Sequence, residues 1–473
     1  MNYDSLIFLI FLIISFTAYW ACPARFRWGV ILGVSYWFYA SWDTRYVLLL
    51  MAITVISYFS ALSFEHFHEN LKLRRLILIV SLIVCFGVLV VFKYFNFFAE
   101  SFGQLMNTVG LPVHITLLEW VLPVGISFYC FQAAGYIIDV YKGKYEAERH
   151  FGVYAAFMSF FPQILSGPIA RGNQLLPQLK KEHGFSYDNA SYGVKRIVLG
   201  AFKEYAIADF LSQYITKVFD NPGEFPGFSL LCAMVLFSIQ IYCDFSGYSD
   251  MMIGLAKLFD INLMENFHNP YFATSLKEFW SLWHISLSTW FRDYLYIPMG
   301  GNRKHKNINL LVTFTVSGLW HGANWTFILW GFTHGLAQVL EKKFVKPTES
   351  SLKRFLGMFI VFIFCTIEWT IFKASSLKDA FYIMIHAFDG ITGIGSYIMN
   401  GLVAMGMDLT CVGIIVLTIC ALTVIDIISE KEDIILWISR KPVVVRWTAY
   451  IMLVVFILLV KPVNNTDFLY FQF

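Results

Sequence analysis

The sequence predicts an all-α, polytopic membrane protein, and two observations support this fold class. Of its 473 residues, 58% are hydrophobic and only 14% are charged, and the mean hydropathy is +0.62. A soluble domain carries about 25% charged residues. Apolar runs also recur along the whole chain, and many are long enough to cross a bilayer as helices.

About eleven apolar segments are predicted to be transmembrane helices. They lie near residues 5–21, 28–42, 46–63, 74–95, 119–139, 195–217, 226–258, 308–341, 353–373, 410–428 and 446–461. The segments 226–258 and 308–341 exceed the roughly 20 residues of a single span, so tilted, broken or double helices are expected there. Shorter apolar pieces at 151–170 and 279–297 contain Pro, Gly or His, and are expected to be re-entrant or interfacial. With no second domain or repeat, residues 1–473 are expected to form one integral membrane domain.

Basic residues in the loops predict the orientation of the helices. Three early loops are basic, at 25–27, 72–75 and 142–149, and two predicted crossings separate each loop from the next. Basic residues mark cytoplasmic loops, so all three loops are placed inside and the N-terminus outside. The basic stretch 440–446 precedes the last span, which places the tail 462–473 outside as well.

Other features of the composition predict little chemistry. The net charge of +3 gives no indication of nucleic-acid binding, because the basic residues lie in loops. The eight cysteines form no C-x-x-C pair, so neither a metal site nor a disulfide framework is predicted. No basic residue precedes the first apolar run, so that run is expected to stay as a helix. The polar insert at about 171–190 is expected to be a cytoplasmic loop.

Polar residues inside apolar segments are the candidates for function, because they are costly at membrane depth. In "QIYCDFSGYSDMMIGLAKLF", helical spacing places Gln240, Asp244, Tyr248 and Met251 on one face. Such a stripe fits a polar cavity, and it also fits buried hydrogen bonds that hold helices together. For Asp244 the second arrangement is the commoner one.

A second group lies in "LKEFWSLWHISLSTWFRDYLYIPMGGNRKHK". Helical spacing aligns Trp280, His284 and Ser288, and the turn residues 298–301 end the element. The basic residues 303–306 follow. They could attract a phosphate-bearing donor, or they could simply anchor a cytoplasmic loop.

A third group lies in "NLLVTFTVSGLWHGANWTFILWGFTHGL", where His321 stands inside an apolar run. Gly318 and Gly322 are four residues apart, which favours close packing of a partner helix. Lone histidines on apolar helices are usually structural. A desolvated imidazole, however, stays neutral and can act as a general base. His334 is given no role.

The second and third groups resemble the membrane-bound O-acyltransferase (MBOAT) family, in "EFWSLWHISLSTWFRDYLYIPMGGNR" and "FTVSGLWHGANWTFILWG". The most similar branch is that of bacterial alginate and peptidoglycan O-acetyltransferase membrane subunits. That branch usually carries basic residues just before the first histidine, where this chain has Ser281 and Leu282. No contact with a donor phosphate is therefore assigned to these two residues.

The resemblance implies an MBOAT fold in the bacterial cytoplasmic membrane, with catalytic histidines at His321 and His284. It implies that acetyl-CoA arrives from the cytoplasm and that the acceptor approaches from outside. The side chains expected to line the cavity are Asp244, Tyr248, Trp280, Ser288, Trp320 and Asn324. Members of the branch tend to end in F-x-Y-x-x-F, which Phe468, Tyr470 and Phe473 reproduce.

The resemblance further implies that Tyr470 carries the acetyl group while Phe468 and Phe473 anchor the tail. A tyrosine ester is activated, because phenol, with a pKa of about 10, is a good leaving group. His321 would act as the base, and His284 would orient the donor or stabilise the oxyanion. A secreted or periplasmic esterase-like partner would then pass the acetyl group to a polysaccharide such as alginate or peptidoglycan. Alternatively, the tail only docks the partner.

Two other functions fit parts of the sequence. D-alanyl transferases acting on teichoic acid resemble the chain in both histidine motifs, but that branch usually takes its tyrosine tail from a separate small protein. A polysaccharide or lipid transporter would also place polar residues at membrane depth. Transporters often show inverted repeats, and none is apparent in this sequence.

Overall fold

The computed structural model describes residues 5–111, 113, 115–344 and 350–462, and every regular element in that part of the chain is helical. Contacts divide the chain into two compact units. The first comprises Met1–Val194 and Met252–Met264, and the second comprises Lys195–Met251 and Glu265–Phe473. The all-α fold class is confirmed.

The first unit is built around α6, whose residues are nearly all buried between α3, α4 and α7. The segment 252–264 is attached to the unit because Gln178 Oε1 accepts from the amide of Asn262 and His183 Nδ1 lies 2.7 Å from Asp260 Oδ2. The helices that begin in this unit are α1 (Leu6–Ala21), α2 (Arg27–Ala40), α3 (Thr44–His66), α4 (Leu71–Leu89), α5 (Phe95–Thr108), α6 (Ile126–Tyr141), α7 (Phe151–Ser159), α8 (Gly172–Lys180) and α9 (Tyr187–Ala201).

The second unit contains the remaining helices and a large aromatic core drawn from most of them. The antiparallel hairpin of α14 and α15 is its most closely packed helix pair. These helices are α10 (Asp209–Asp220), α11 (Gly227–Leu258), α12 (Leu276–Leu282), α13 (Ile285–Phe291), α14 (Lys306–His321), α15 (Trp325–Phe344), α16 (Ser351–Lys373), α17 (Leu377–His386), α18 (Ile394–Met405), α19 (Leu409–Ser429), α20 (Ile434–Ser439) and α21 (Val443–Val460).

The chain is a multi-pass membrane protein. Six helical stretches in the described part of the chain are long and apolar enough to span a bilayer, and α1 and α18 are shorter apolar helices. The spanning stretches are α3, the continuous stretch Leu71–Thr108, α11, α16, α19 and α21. The expected total of about eleven spans stays a prediction.

Several predicted boundaries are corrected by local backbone chemistry. The segment 226–258 is one unbroken helix, whereas 308–341 is double, because the chain turns between His321 and Trp325. The segment 119–139 becomes helical only at Ile126, after Gly125 with φ +76°. The supposed loop at 171–190 contains α8 and the start of α9. Because each of these two helices buries only one face, their sequence is largely polar, and it was therefore predicted to be a loop.

A buried ion-pair cluster supports the second unit beside α11. Asp250 accepts from Arg196 Nη2 at 2.7 Å and from Lys203 Nζ at 2.8 Å. Arg196 also donates to Glu265 at 2.5 Å. Gly247 allows this approach, because a Cβ there would lie 2.7 Å from the carbonyl oxygen of Gly200. The cluster therefore fixes the start of the segment that follows Glu265.

Candidate functional site

His284 lies in the turn between α12 and α13, where Asn266 contacts it. Its side chain is fully buried, and its backbone is left-handed, with φ 43° and ψ 53°. Oδ1 of Asn266 lies 3.3 Å from His284 Nδ1, and it accepts from the amide and hydroxyl of Ser286 at 3.1 and 2.8 Å. The carbonyl oxygen of Asn266 accepts from the amide of Ile285 at 3.0 Å. One residue thus fixes both the backbone and the ring.

This contact determines which ring nitrogen of His284 can accept a proton. Asn266 Oδ1 is an acceptor only, so Nδ1 of a neutral His284 carries the hydrogen. Nε2 then presents its lone pair, as a base or hydrogen-bond acceptor does. This tautomer is inferred from the hydrogen bonds.

The predicted alignment of Trp280, His284 and Ser288 on one helix is wrong. The helix breaks at Trp283–His284, because His284 adopts the left-handed conformation that Asn266 stabilises. Ser288 Oγ donates to the carbonyl oxygen of Trp283 at 3.2 Å, which links α13 to the end of α12 across the break.

His321 is the last residue of α14 and is almost fully buried. Its ring packs against Trp330 and Phe372, with centroid distances of 5.2 and 5.4 Å. Two glycines bring α14 and α15 together beside it, because a Cβ on Gly318 would lie 2.2 Å from the carbonyl oxygen of Phe327 and 3.1 Å from Gly331. The close packing predicted at Gly318 is confirmed. Glycine thus lets the hairpin close directly beside His321.

Trp320 connects the two histidines. Its ring centroid lies 6.1 Å from that of His284 and 5.0 Å from that of His321. Phe245 of α11 packs on His284 at 4.5 Å. The structure therefore brings both predicted histidines and Trp320 into one buried aromatic cluster.

Of the other predicted cavity residues, three are buried in the second unit and one caps a helix. Asp244 and Tyr248 are buried on α11, and Asp244 interacts electrostatically with Lys373. Trp280 is also buried, and its Nε1 donates to His334. Asn324 caps the start of α15, accepting from the amide of Thr326 at 3.1 Å. Whether these side chains line a cavity stays a prediction.

Two residues near the histidines were missed in the sequence. Asn266 lies in an irregular segment with no periodicity, so only the tertiary structure shows its contact with His284. His334 was noticed but given no role, although it is fully buried. Phe468, Tyr470 and Phe473 lie outside the described residues. Among the described residues, no three His, Cys, Asp or Glu side chains gather as a metal site.

The chain is similar to known proteins over the part that contains this aromatic cluster. Residues 150–378 match the model of the membrane-bound O-acyltransferase family, MBOAT. The chain is 38% identical to the probable alginate O-acetylase AlgI of Azotobacter vinelandii, over 80% of this chain and 76% of that protein. The chain belongs to the MBOAT family. As an MBOAT protein, it is a membrane acyltransferase, which confirms the predicted enzyme class.

Two further relatives carry different names. The chain is 34% identical to a peptidoglycan O-acetyltransferase of Helicobacter pylori, over 76% of this chain and 73% of that protein. It is 28% identical to a teichoic acid D-alanyltransferase of Streptococcus thermophilus, over 59% of this chain and 75% of that protein. The region of this chain that matches the MBOAT model contains both His284 and His321. Family membership argues for an enzyme and against a transporter.

Proposed function

We propose that this MBOAT protein takes an acetyl group from cytoplasmic acetyl-CoA and delivers it, through an extracytoplasmic partner, to a cell-envelope polysaccharide. The observation that supports this most strongly is the buried pair of His284 and His321 around Trp320. The two O-acetylating relatives match more of the chain, at higher identity, than the D-alanyltransferase does.

In the proposed first step, His321 removes the proton of the Tyr470 hydroxyl as its oxygen attacks the thioester carbonyl. The tetrahedral intermediate collapses by breaking the carbon–sulfur bond. The thiolate then takes the proton from the His321 imidazolium, so coenzyme A leaves as a thiol. Tyr470 now holds an acetyl ester, and no net proton is released.

His284 has a narrower role in this mechanism than the sequence implied. The hydrogen bond from Nδ1 to Asn266 favours an accepting Nε2, which suits orientation of a donor N–H or O–H group. A neutral imidazole in this tautomer does not donate to an oxyanion from Nε2. We therefore assign His284 to orientation of the substrates.

The second step takes place outside the cytoplasm. A serine hydroxyl of a secreted or periplasmic esterase-like partner attacks the tyrosyl ester, and the phenol of Tyr470 leaves with the proton. The partner then acetylates a glycan hydroxyl. The protein would lie in the bacterial cytoplasmic membrane with both termini outside, so only the acetyl group crosses.

The proposal is tested by incubating purified protein with acetyl-CoA and measuring release of the coenzyme A thiol in the presence of partner and glycan. We expect His321→Ala to abolish release. The matched control is His386→Ala, because His386 lies on α17, is partly exposed and pairs with Asp389. Full activity in His321→Ala would refute the assignment of the base. Turnover of a D-alanyl carrier thioester, with none of acetyl-CoA, would replace the acetyl function with the D-alanyl function.

A further inference from the structure

His183 lies in the connection between α8 and α9 of the first unit and takes no part in the mechanism above. Its side chain is only 5% exposed, whereas the preceding residues, Lys181 and Glu182, are exposed. Nδ1 of His183 lies 2.7 Å from Asp260 Oδ2, and Nε2 lies 2.6 Å from the carbonyl oxygen of Gln178. The ring thus joins the end of α8 to the turn that follows α11.

Both partners of the His183 ring are hydrogen-bond acceptors. The carbonyl oxygen of Gln178 can only accept, and the carboxylate of Asp260 accepts when it is ionised. Its other oxygen, Oδ1, accepts from the side-chain amide of Asn189 at 2.5 Å. A neutral imidazole carries one N–H group and one lone pair, so it satisfies only one of the two acceptors at the ring. The contacts therefore fit the doubly protonated, positively charged ring, a state inferred from its partners.

Neighbouring contacts tie the same segments together without a titratable ring. Gln178 Oε1 accepts from the amide of Asn262 at 2.8 Å, and Gln178 Nε2 donates to the carbonyl oxygen of Asn262 at 3.0 Å. The carbonyl oxygen of His183 accepts from Arg27 Nη1 at the start of α2. The connection 181–186 and the turn 259–262 are thus held at several points, and the contact through His183 is the one that depends on a histidine proton.

Histidine is the one side chain in this region whose ordinary titration falls between about pH 5 and 8. Asp260 faces the ring, and Tyr19 of α1 interacts electrostatically with both Asp260 and Arg27. Lys257, at the end of α11, donates to the side chain of Asn262 at 2.6 Å. The other titratable residues on the adjoining elements are Cys22 after α1, Lys180 of α8, Lys181 and Glu182 of the connection, and Asp188 of α9.

We propose that His183 is a pH-sensitive latch between the connection 181–186 and the turn 259–262. With both ring nitrogens protonated, it binds Gln178 and Asp260 at once. When one proton leaves, a nitrogen lone pair faces an acceptor oxygen, and that contact opens. Because the fold stabilises the charged ring, the latch is closed at lower pH and opens as the pH rises through the range in which histidine titrates.

The predicted topology gives the latch a compartment. The loop at 25–27, which contains Arg27, is one of the loops predicted to be cytoplasmic, so the latch would respond to the pH of the cytoplasm. The inference concerns conformational control of the first unit, and it holds or fails independently of the acyl-transfer reaction.

The latch is tested by hydrogen–deuterium exchange of the full-length protein in detergent across a series from about pH 5.5 to about pH 8.5, with labelling times scaled to the intrinsic exchange rate. The reporter is the amide of Asn262, which donates to Gln178 Oε1. We expect its protection to fall by about tenfold or more towards the higher pH, as for the loss of a charge-assisted hydrogen bond. Peptides from α6, which is almost entirely buried, should keep their protection throughout.

Two variants assign the response to the pair of His183 and Asp260. His183→Gln cannot gain the charge, so its protection should not change across the series. Asp260→Asn removes the carboxylate that favours the charged ring, so its latch should open at a lower pH than in wild type. The matched control is His386→Gln, because His386 is a partly exposed histidine 2.6 Å from Asp389, and this variant should keep the wild-type response.

Three results would overturn the proposal. The first is a wild type whose protection at Asn262 does not depend on pH. The second is a His183→Gln protein that keeps the wild-type response, since another group would then be titrating. The third is an Asp260→Asn protein that opens at the same pH as wild type, and this comparison still decides the question if His183→Gln does not fold.

Discussion

The side-chain oxygen of Asn266 lies 3.3 Å from Nδ1 of His284 and also accepts both hydrogen bonds of Ser286. The side-chain nitrogen of Asn266 reaches Ser249 of α11 at 3.4 Å. The preceding residue, Glu265, is paired with Arg196 of the buried ion cluster. Asn266 thus contacts His284 from outside the two helices that flank it.

Replacing Asn266 with alanine should lower kcat by about 10- to 100-fold, because a misplaced side chain at an active site costs up to about that much, and change KM for acetyl-CoA much less. The reason is that Asn266 acts through His284, as a positioning residue. Steady-state kinetics with acetyl-CoA checks this split. The decisive control is the double variant with His284→Ala, where adding Asn266→Ala should cost little more activity. Fully additive losses would show that Asn266 acts independently of His284.

Gly318→Val should destabilise the protein by about 1–3 kcal/mol or more and reduce activity, because the new side chain would meet the backbone at Phe327. Thermal unfolding in detergent gives the stability, and acetyl-CoA turnover gives the activity. Gly87→Ala in α4 is the matched control, since a Cβ there meets nothing within 4 Å. A Gly318→Val protein as stable as Gly87→Ala would contradict the described α14–α15 contact.

Asp250→Ala should be among the most destabilising single changes, by about 3–5 kcal/mol, because it leaves Arg196 and Lys203 buried beside a missing carboxylate. The comparison is Glu432→Ala, whose partner Arg440 is largely exposed and whose loss should cost at most about 1 kcal/mol. The unfolding temperatures of the two variants are compared, and the Asp250→Ala protein should unfold at the lower temperature. Equal effects would mean that the cluster contributes no more than a surface pair.

The predicted topology places the C-terminus outside the cytoplasm. Alkaline phosphatase fused after Phe473 should therefore be active, while green fluorescent protein at the same point should stay dark. A fusion after Lys144, in a predicted cytoplasmic loop, should behave in the opposite way. The reverse result at Phe473 would remove Tyr470 from the outer face and with it the carrier mechanism.

Hydropathy predicted the membrane helices well where they are long and uniformly apolar, as in α3, α16, α19 and α21. It failed where one face is polar, as in α8, or where tertiary contacts set the backbone, as at His284. Both histidines were predicted from motifs that resemble the family. Asn266 was not, because an asparagine in an irregular segment leaves no periodic signal, and its partner lies 18 residues away.

Whether Tyr470 carries the acetyl group is measured by mass spectrometry of the C-terminal peptide after incubation with labelled acetyl-CoA and no partner. We expect an added acetyl group on Tyr470 in wild type, and none in His321→Ala or Tyr470→Phe. An unmodified tail in wild type, with label still passing to an added partner, would contradict the carrier role. In that case the residues 468–473 would serve as a docking segment, and the partner's hydroxyl would attack the thioester directly.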